Sequence, residues 1–177
     1  MKELTQELLK ELVHYNPNTG EFHWKTRTSE HIPNNHHQSW NAKYAGKLMS
    51  NSDGRGYYDS FILGIHYKLH RLAWFYTHGD VPLVIDHING DTYDNRLDNL
   101  RNVTMKINMR NQKLNAKNTS GVMGVTWHNI NKTWCVRIKT SGVNKYLCST
   151  KDFFEACCVR KSAERSLGFH VNHGRTS

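Results

Sequence analysis

The residues whose types and spacing can do chemistry sit in two short runs, VIDHINGD at 84–91 and DNRLDNLR at 94–101. Asp86 and His87 are neighbours, Asn99 follows His87 by twelve residues, and Asn108 follows Asn99 by nine. Histidine is the natural base near neutral pH. One carboxylate plus one amide oxygen is a hard, incomplete, oxygen-only ligand set. It suits one divalent ion such as Mg²⁺ or Mn²⁺, which takes its other ligands from water and phosphate. A base for water and a cation for developing charge are what phosphodiester hydrolysis requires.

These residues need a frame. The apolar lead-in at Val84 and Ile85 reads as a buried strand that delivers Asp86 and His87. A strand aims neighbouring side chains to opposite faces unless its backbone bends. Asn89-Gly90-Asp91 supplies a turn, and 99–103 can return as the paired strand. A helix over 105–113, capped by Thr104, then carries Asn108 near its first turn. Asn95 and Asn111 are neighbours of the same type, and spacing favours Asn99 and Asn108. Asparagines also simply form turns, a sufficient reading for any one of them but not for four suitable residues in order. Lys106, Arg110, Lys113 and Lys117 fall at i, i+4, i+7 and i+11, one face of a helix. With Arg101 they are candidate phosphate contacts.

Around this centre the pattern is α+β. A short amphipathic helix over 4–14, capped by Thr5, precedes a hairpin at 15–24 and a polar, His- and Asn-rich loop at 26–42. Strand-like runs fill 45–69, and 70–78 reads as a short helix or a strand–helix junction. There His70 and Arg71 would buttress the catalytic strand, while Trp24, Trp40 and Trp74 read as core. After linker-like residues at 111–120, three strands at 122–127, 134–140 and 145–149 precede a helix at 152–167. Phe153, Phe154, Ala156, Cys157, Val159, Ala163 and Leu167 would form its apolar face. Trp134, Val136 and Ile138 should pack on that helix; Arg137 and Lys139 should point away, with Thr126, His128 and Tyr146. The expected regions are 1–80, 81–115 and 116–177.

The formal charge of +9 implies a polyanionic partner. Residues 1–80 carry 9 basic and 8 acidic groups, 81–115 carry 5 and 4, and 116–177 carry 10 and 3, so the last region is the electrostatic arm. The four cysteines include no Cys-x-x-Cys pair, which argues against a zinc knuckle; Cys157 and Cys158 read as buried free thiols. The charged N-terminus and the lack of a long apolar run predict a soluble, intracellular protein with no membrane partner.

The order Asp86-His87, Asn99, Asn108 resembles the HNH endonucleases of the ββα-metal type, most closely those of phage intron-associated homing nucleases. The string IDHINGDTYDNRLDNLR, HRLAW at 70–74 and the N-terminal LTQELLKELVHYNPNTGEFHW extend the resemblance. It implies that His87 is the general base, that Asn99 orients its imidazole through the other ring nitrogen, and that Asp86 and Asn108 hold one Mg²⁺ or Mn²⁺. Residues 118–170 resemble the DNA-binding domain of plant ethylene-response factors, through SGVMGV at 120–125, TWCVRIK at 133–139, Tyr146-Leu147 and the following helix. That implies a sheet lying on duplex DNA, with Thr126, His128, Arg137, Lys139, Lys145 and Tyr146 as contacts. The departures are Cys148, where that family has Gly, and Thr126 and His128, where Arg is common. The expected function is a site-specific DNA endonuclease, nicking or cutting both strands, a monomer on DNA with a dimer as the alternative, in the cytoplasm of an infected host. The competing expectation is a non-catalytic DNA-binding regulator; an RNA-directed protein is weaker, since no RNA-recognition motif is present.

Overall fold

A computed structural model describes residues 3–32, 36–54 and 56–176, with Lys106 followed through its backbone alone. The chain divides into two compact units, Met1–Asn102 and Val103–Ser177. Each mixes helices with small antiparallel sheets, as the α+β expectation requires. The two strands expected in region 81–115 belong to the first unit and its helix to the second.

In the first unit, helix α1 (Gln6–Leu12) starts at Thr5, whose hydroxyl accepts from the Leu8 amide at 3.2 Å. It buries Leu8, Leu9 and Leu12 and ends two residues early, because Val13 turns extended and opens strand β1 (Val13–Tyr15). A β-branched residue with an apolar face to bury favours that strand. β1 pairs with β2 (Phe22–Trp24), Val13 opposite Trp24 and Tyr15 opposite Phe22. A second sheet, β3 (Asn51–Ser52), β4 (Tyr58–Ile62) and β5 (Ile65–Lys68), feeds directly into helix α3 (Leu69–His78). That helix resolves the expected choice at 70–78. It stops at Gly79, which adopts φ 80°. Leu9, Leu12, Val13, Phe22, Ile62, Leu69, Leu72 and Ala73 make the core.

Two expectations for this unit are corrected. The polar stretch 26–42 contains a helix, α2 (His36–Tyr44), that buries no residue and has no amphipathic period to read. It is tied down through Trp40. The Arg27 guanidinium lies 4.6 Å from the Trp40 ring and 5.2 Å from that of Trp24, and donates to the Leu12 carbonyl. Burial pulls the Arg27 pKa down to about 10. Trp24, Trp40 and Trp74 are therefore half-buried at the rim rather than inside the core.

The second unit starts with helix α4 (Met105–Met109) and continues with β8 (Val125–His128), β9 (Thr133–Thr140), β10 (Val143–Thr150) and helix α5 (Phe153–Ser166). The sheet order is β10-β9-β8. Ser141 and Gly142 both adopt positive φ, the two-residue turn whose twist suits a hairpin. Asp152 caps α5 by accepting from the amides of Phe154 and Glu155.

The inward face of α5 differs from the apolar stripe expected. Ala156, Arg160 and Glu164 point in, Phe154 is 76% exposed, Cys157 is half-buried and Cys158 is exposed. The reason lies at the end of β8. In a strand one residue's N–H and C=O point the same way, and the Arg137 amide bonds to Gly124 O, where β8 has not yet begun. The Arg137 carbonyl, without a ladder partner there, takes a bond from Arg160. Glu164 neutralises that arginine through a bond from Nε at 2.8 Å. Gly124 (φ 77°) makes room, since a Cβ there would stand 2.6 Å from Arg160 Nη1.

Candidate active site and nucleic-acid face

Strand β6 (Ile85–His87) pairs antiparallel with β7 (Leu100–Asn102), setting Asp86 opposite Arg101 and His87 opposite Leu100. The neighbours then take different partners, as alternate side chains of a strand do. Asp86 Oδ2 accepts from Arg101 Nε at 2.9 Å and Nη2 at 2.6 Å. Arg101, expected on DNA, thus spends its guanidinium on the carboxylate. His87, 3% exposed, packs edge-on to His70 with ring centroids 5.2 Å apart, and Tyr57 lies 6.1 Å away. Arg71 donates to the Pro82 carbonyl at 3.2 Å, tying α3 to the run that leads into β6.

Between the strands, residues 88–99 form a loop built from its own side chains. Asn99 Oδ1 accepts from the Asn89 amide at 3.0 Å, and its Nδ2 donates to the Asp94 carbonyl at 2.8 Å. Both polar atoms of the Asn99 amide are used on the loop. The role of turning the imidazole is corrected accordingly: Asn99 staples the turn that follows His87. The asparagine beside the ring is Asn95, 2% exposed, with Oδ1 3.5 Å from His87 Nε2, a long contact.

The front end of the chain holds Asn95 in place. The Tyr15 hydroxyl donates to the Asn95 carbonyl at 2.8 Å, and Leu97 N donates to the Pro17 carbonyl at 3.1 Å. Gly20 adopts φ 77°, and a Cβ on it would lie 2.6 Å from Arg96 N and 2.7 Å from the Asn95 carbonyl carbon. The NPNTG turn is therefore a prop for the loop at 88–99, which the sequence alone did not reveal. The glycine gave the only hint, since only contacts distant in sequence reveal what it must approach.

Burial pulls the His87 pKa below the ordinary imidazole value; the Asn95 contact and then Asp86, Asp91 and Asp94 oppose that shift. Burial, reinforced by His87, Arg71 and Lys68, takes His70 down to about 3. Its Nδ1 has no hydrogen-bond partner. At neutral pH both rings are uncharged, and a neutral imidazole is the form that can accept a proton.

Asn108 lies half-buried on α4. That helix is held at its start by Thr104, whose hydroxyl accepts from Ile107 N at 3.4 Å. Beyond its end, His170 N bonds to Arg110 O, Gly174 N to Gln112 O and Leu114 N to Arg175 O. Arg175 Nη1 adds bonds to the Asn111 carbonyl and side-chain oxygens. With this clamp the chain leaves the helix after its cap at Arg110. The expectation that Lys106, Arg110, Lys113 and Lys117 share one helix face is corrected: Arg110 caps the helix, and Lys113 and Lys117 lie past it, both exposed. The Lys106 side chain lies outside the described residues.

Among the described residues no group of three His, Cys, Asp or Glu could cage a metal. Asp86 is one buried carboxylate, a donor that fits an oxygen-seeking ion leaving most of its shell to water and phosphate. In the second unit, strand register puts Thr126, His128, Arg137, Lys139 and Tyr146 on the sheet face turned away from α5, and all five are exposed. Lys145 pairs with Ile138 and so alternates to the helix-bearing face, past which its chain must reach to meet any ligand on the other side.

Residues 67–110 match the HNH endonuclease family. The HNH segment runs from β5 through α3, β6, the loop and β7 to the end of α4, and includes His70, Asp86, His87, Asn95, Asn99 and Asn108. The exposed sheet face lies outside it. The chain is also 35% identical over 77 residues to Protein 3.8 of Escherichia phage T7, a stretch covering 42% of this chain and 64% of that protein. The match thus spans somewhat under two thirds of that relative's length. No solved structure matches the chain. No helix among the described residues is long and apolar enough to cross a membrane.

Proposed function

We propose that this protein is a metal-dependent, site-specific DNA endonuclease that hydrolyses phosphodiester bonds. The observation that carries the reading is the buried, neutral His87 beside Asp86 on a paired strand, inside the segment that matches the HNH family. His87 takes the proton of the attacking water. His70 and Tyr57 exclude solvent from the ring, Asn95 sets its position, and Asn99 holds the loop that follows it. Asp86 would give one oxygen to Mg²⁺ or Mn²⁺, and the resemblance implies that Asn108 would supply an amide oxygen. When bound, that ion stabilises charge on the phosphorane and on the leaving 3′ oxygen. Arg101 holds Asp86, and a guanidinium beside the site would also suit a substrate phosphate.

Double-stranded DNA is the partner, held by the exposed face of Thr126, His128, Arg137, Lys139 and Tyr146, in the manner of the ethylene-response-factor domain. Arg110, Lys113 and Lys117 add backbone contacts. A single active site per chain nicks one strand as a monomer; cutting both requires a second copy or a second event. The similarity to a T7 protein supports a phage protein at work in an infected cell; the cytoplasm as its place and homing as its genetic role follow from the resemblance to phage homing nucleases alone.

Supercoiled plasmid and phage DNA incubated with Mg²⁺ or Mn²⁺, against EDTA and a His87→Ala control, test this reading. Metal-dependent nicks absent from the variant are expected. Intact DNA with a persistent gel shift, on a panel that includes phage DNA, would leave the non-catalytic regulator instead.

A further inference from the structure

The second unit contains a cavity of about 590 Å³, within the roughly 300–1,000 Å³ typical of small-ligand sites. It opens ahead of the first residue of β8, between the β9–β10 hairpin tip and the segments 109–112 and 169–173. Arg110, Arg137 and Lys139 line it, and no acidic residue is among the described residues that do. The interior is nonetheless mainly apolar, with Met109, Met123 and Phe169. The Arg110 guanidinium lies 5.3 Å over the Phe169 ring. His173, 4% exposed, also lines the cavity, and its Nδ1 makes no well-formed hydrogen bond.

A purely phosphate-binding cradle needs cations but no apolar interior, and a hydrophobic ligand needs the interior but no cations. We propose that the cavity receives one nucleotide, its base inside and its phosphate at the rim. The flat Arg110 guanidinium backed by Phe169 is a surface on which a base can stack. The side-chain amides of Gln112 and Asn144 carry both donors and acceptors for a base edge. Arg137, Lys139 and Asn144 share one sheet face by register, so the cavity mouth continues the face proposed to hold duplex DNA. A nucleotide turned out of that duplex could enter without leaving the protein surface. The inference rests on the DNA-binding reading only for the source of the nucleotide.

The test is an NMR titration of the full chain with deoxynucleoside monophosphates and, separately, inorganic phosphate. Saturable shifts at Gly142, Phe169 and His173 are expected with the nucleotides, with phosphate at least about tenfold weaker. Arg110→Glu should abolish them while the α5 amides stay in place, which separates lost binding from lost folding. Equal affinity for phosphate, or no saturable shift, overturns the proposal. A duplex scanned with 2-aminopurine identifies the source: a fluorescence rise at one position marks a nucleotide drawn from DNA, and nucleotide binding without a rise marks a free nucleotide. Gel shifts keep the two readings apart. Duplex binding without nucleotide binding sinks the cavity alone; nucleotide binding without duplex binding sinks the DNA reading alone.

Discussion

The first unit buries a cluster of histidine, aspartate and asparagine, whereas one sheet face of the second leaves its cations in solvent. In the first, His70, Asp86, His87, Asn95 and Asn99 are all buried; Asn99 bonds within its own loop, Asp86 to the paired strand, and Asn95 is held from distant Tyr15. In the second, Arg137, Lys139 and Tyr146 stand exposed on a sheet whose apolar side is covered by α5. Chemistry at a phosphate needs desolvated groups in one geometry, because charge and proton transfer depend on both distance and dielectric. Holding a polyanion needs accessible cations, whose value lies in counterion release and survives small displacements. One chain carries a buried polar cluster in its first unit and a solvated cationic face in its second.

The sharpest break in that contrast is His87→Ala. Losing a general base should cut the cleavage rate by about 10²–10⁴-fold while the gel-shift affinity for DNA stays unchanged. Cleavage at the wild-type rate would remove His87 from the chemistry. The mirror experiment is Arg137→Ala with Lys139→Ala. If both contact phosphates, the log–log salt slope of binding should flatten by roughly 1.8, about 0.9 per contact, with the single-turnover rate at saturating protein retained. An unchanged slope would show that this sheet face does not hold the DNA.

Gly20→Ala tests whether the front-end hairpin belongs to the catalytic centre. With positive φ and backbone 2.6 Å from the new Cβ, it should cost about 1–3 kcal/mol in denaturant unfolding and slow cleavage, leaving binding alone. Cleavage and stability both at wild-type levels would mean that the turn does not prop Asn95. The smallest effect expected is in pH dependence. Below about 6.5 the unfolded chain protonates His70 while the folded protein resists down to about 3, so the unfolded state binds more protons across that window. First-unit stability should fall as pH drops through it, and His70→Phe should flatten the fall. An unaltered acid profile in the variant would show that His70 does not dominate it.

The HNH-like segment was legible because its spacing is local. Asp86 and His87 come from one strand, and the spacing to Asn99 matches the length of the loop that Asn99 closes. The three C-terminal strands and α5 followed from alternation, a cap at Asp152 and a stop at Gly168. What was misread shares a cause. The partner of the His87 ring, the inward face of α5 and the early end of α4 are each decided by a backbone group left unpaired, or by a side chain many residues away. Asn95 is chosen over Asn99 because Tyr15 and Gly20 press on its backbone. Arg160 and Glu164 join Ala156 on the inward face, beside the expected Phe153 and Val159, because the Arg137 carbonyl lacks a strand partner. The segment after Asn108 leaves the helix because residues 170–175 bond to it.

The sequence by itself thus determined the α+β class, the charge distribution and the likeness to the HNH family over 67–110, since composition, period and spacing are properties of the chain. Only the tertiary structure decided which of those residues meet, because burial, desolvation and the satisfaction of backbone hydrogen bonds exist only once distant segments are packed together.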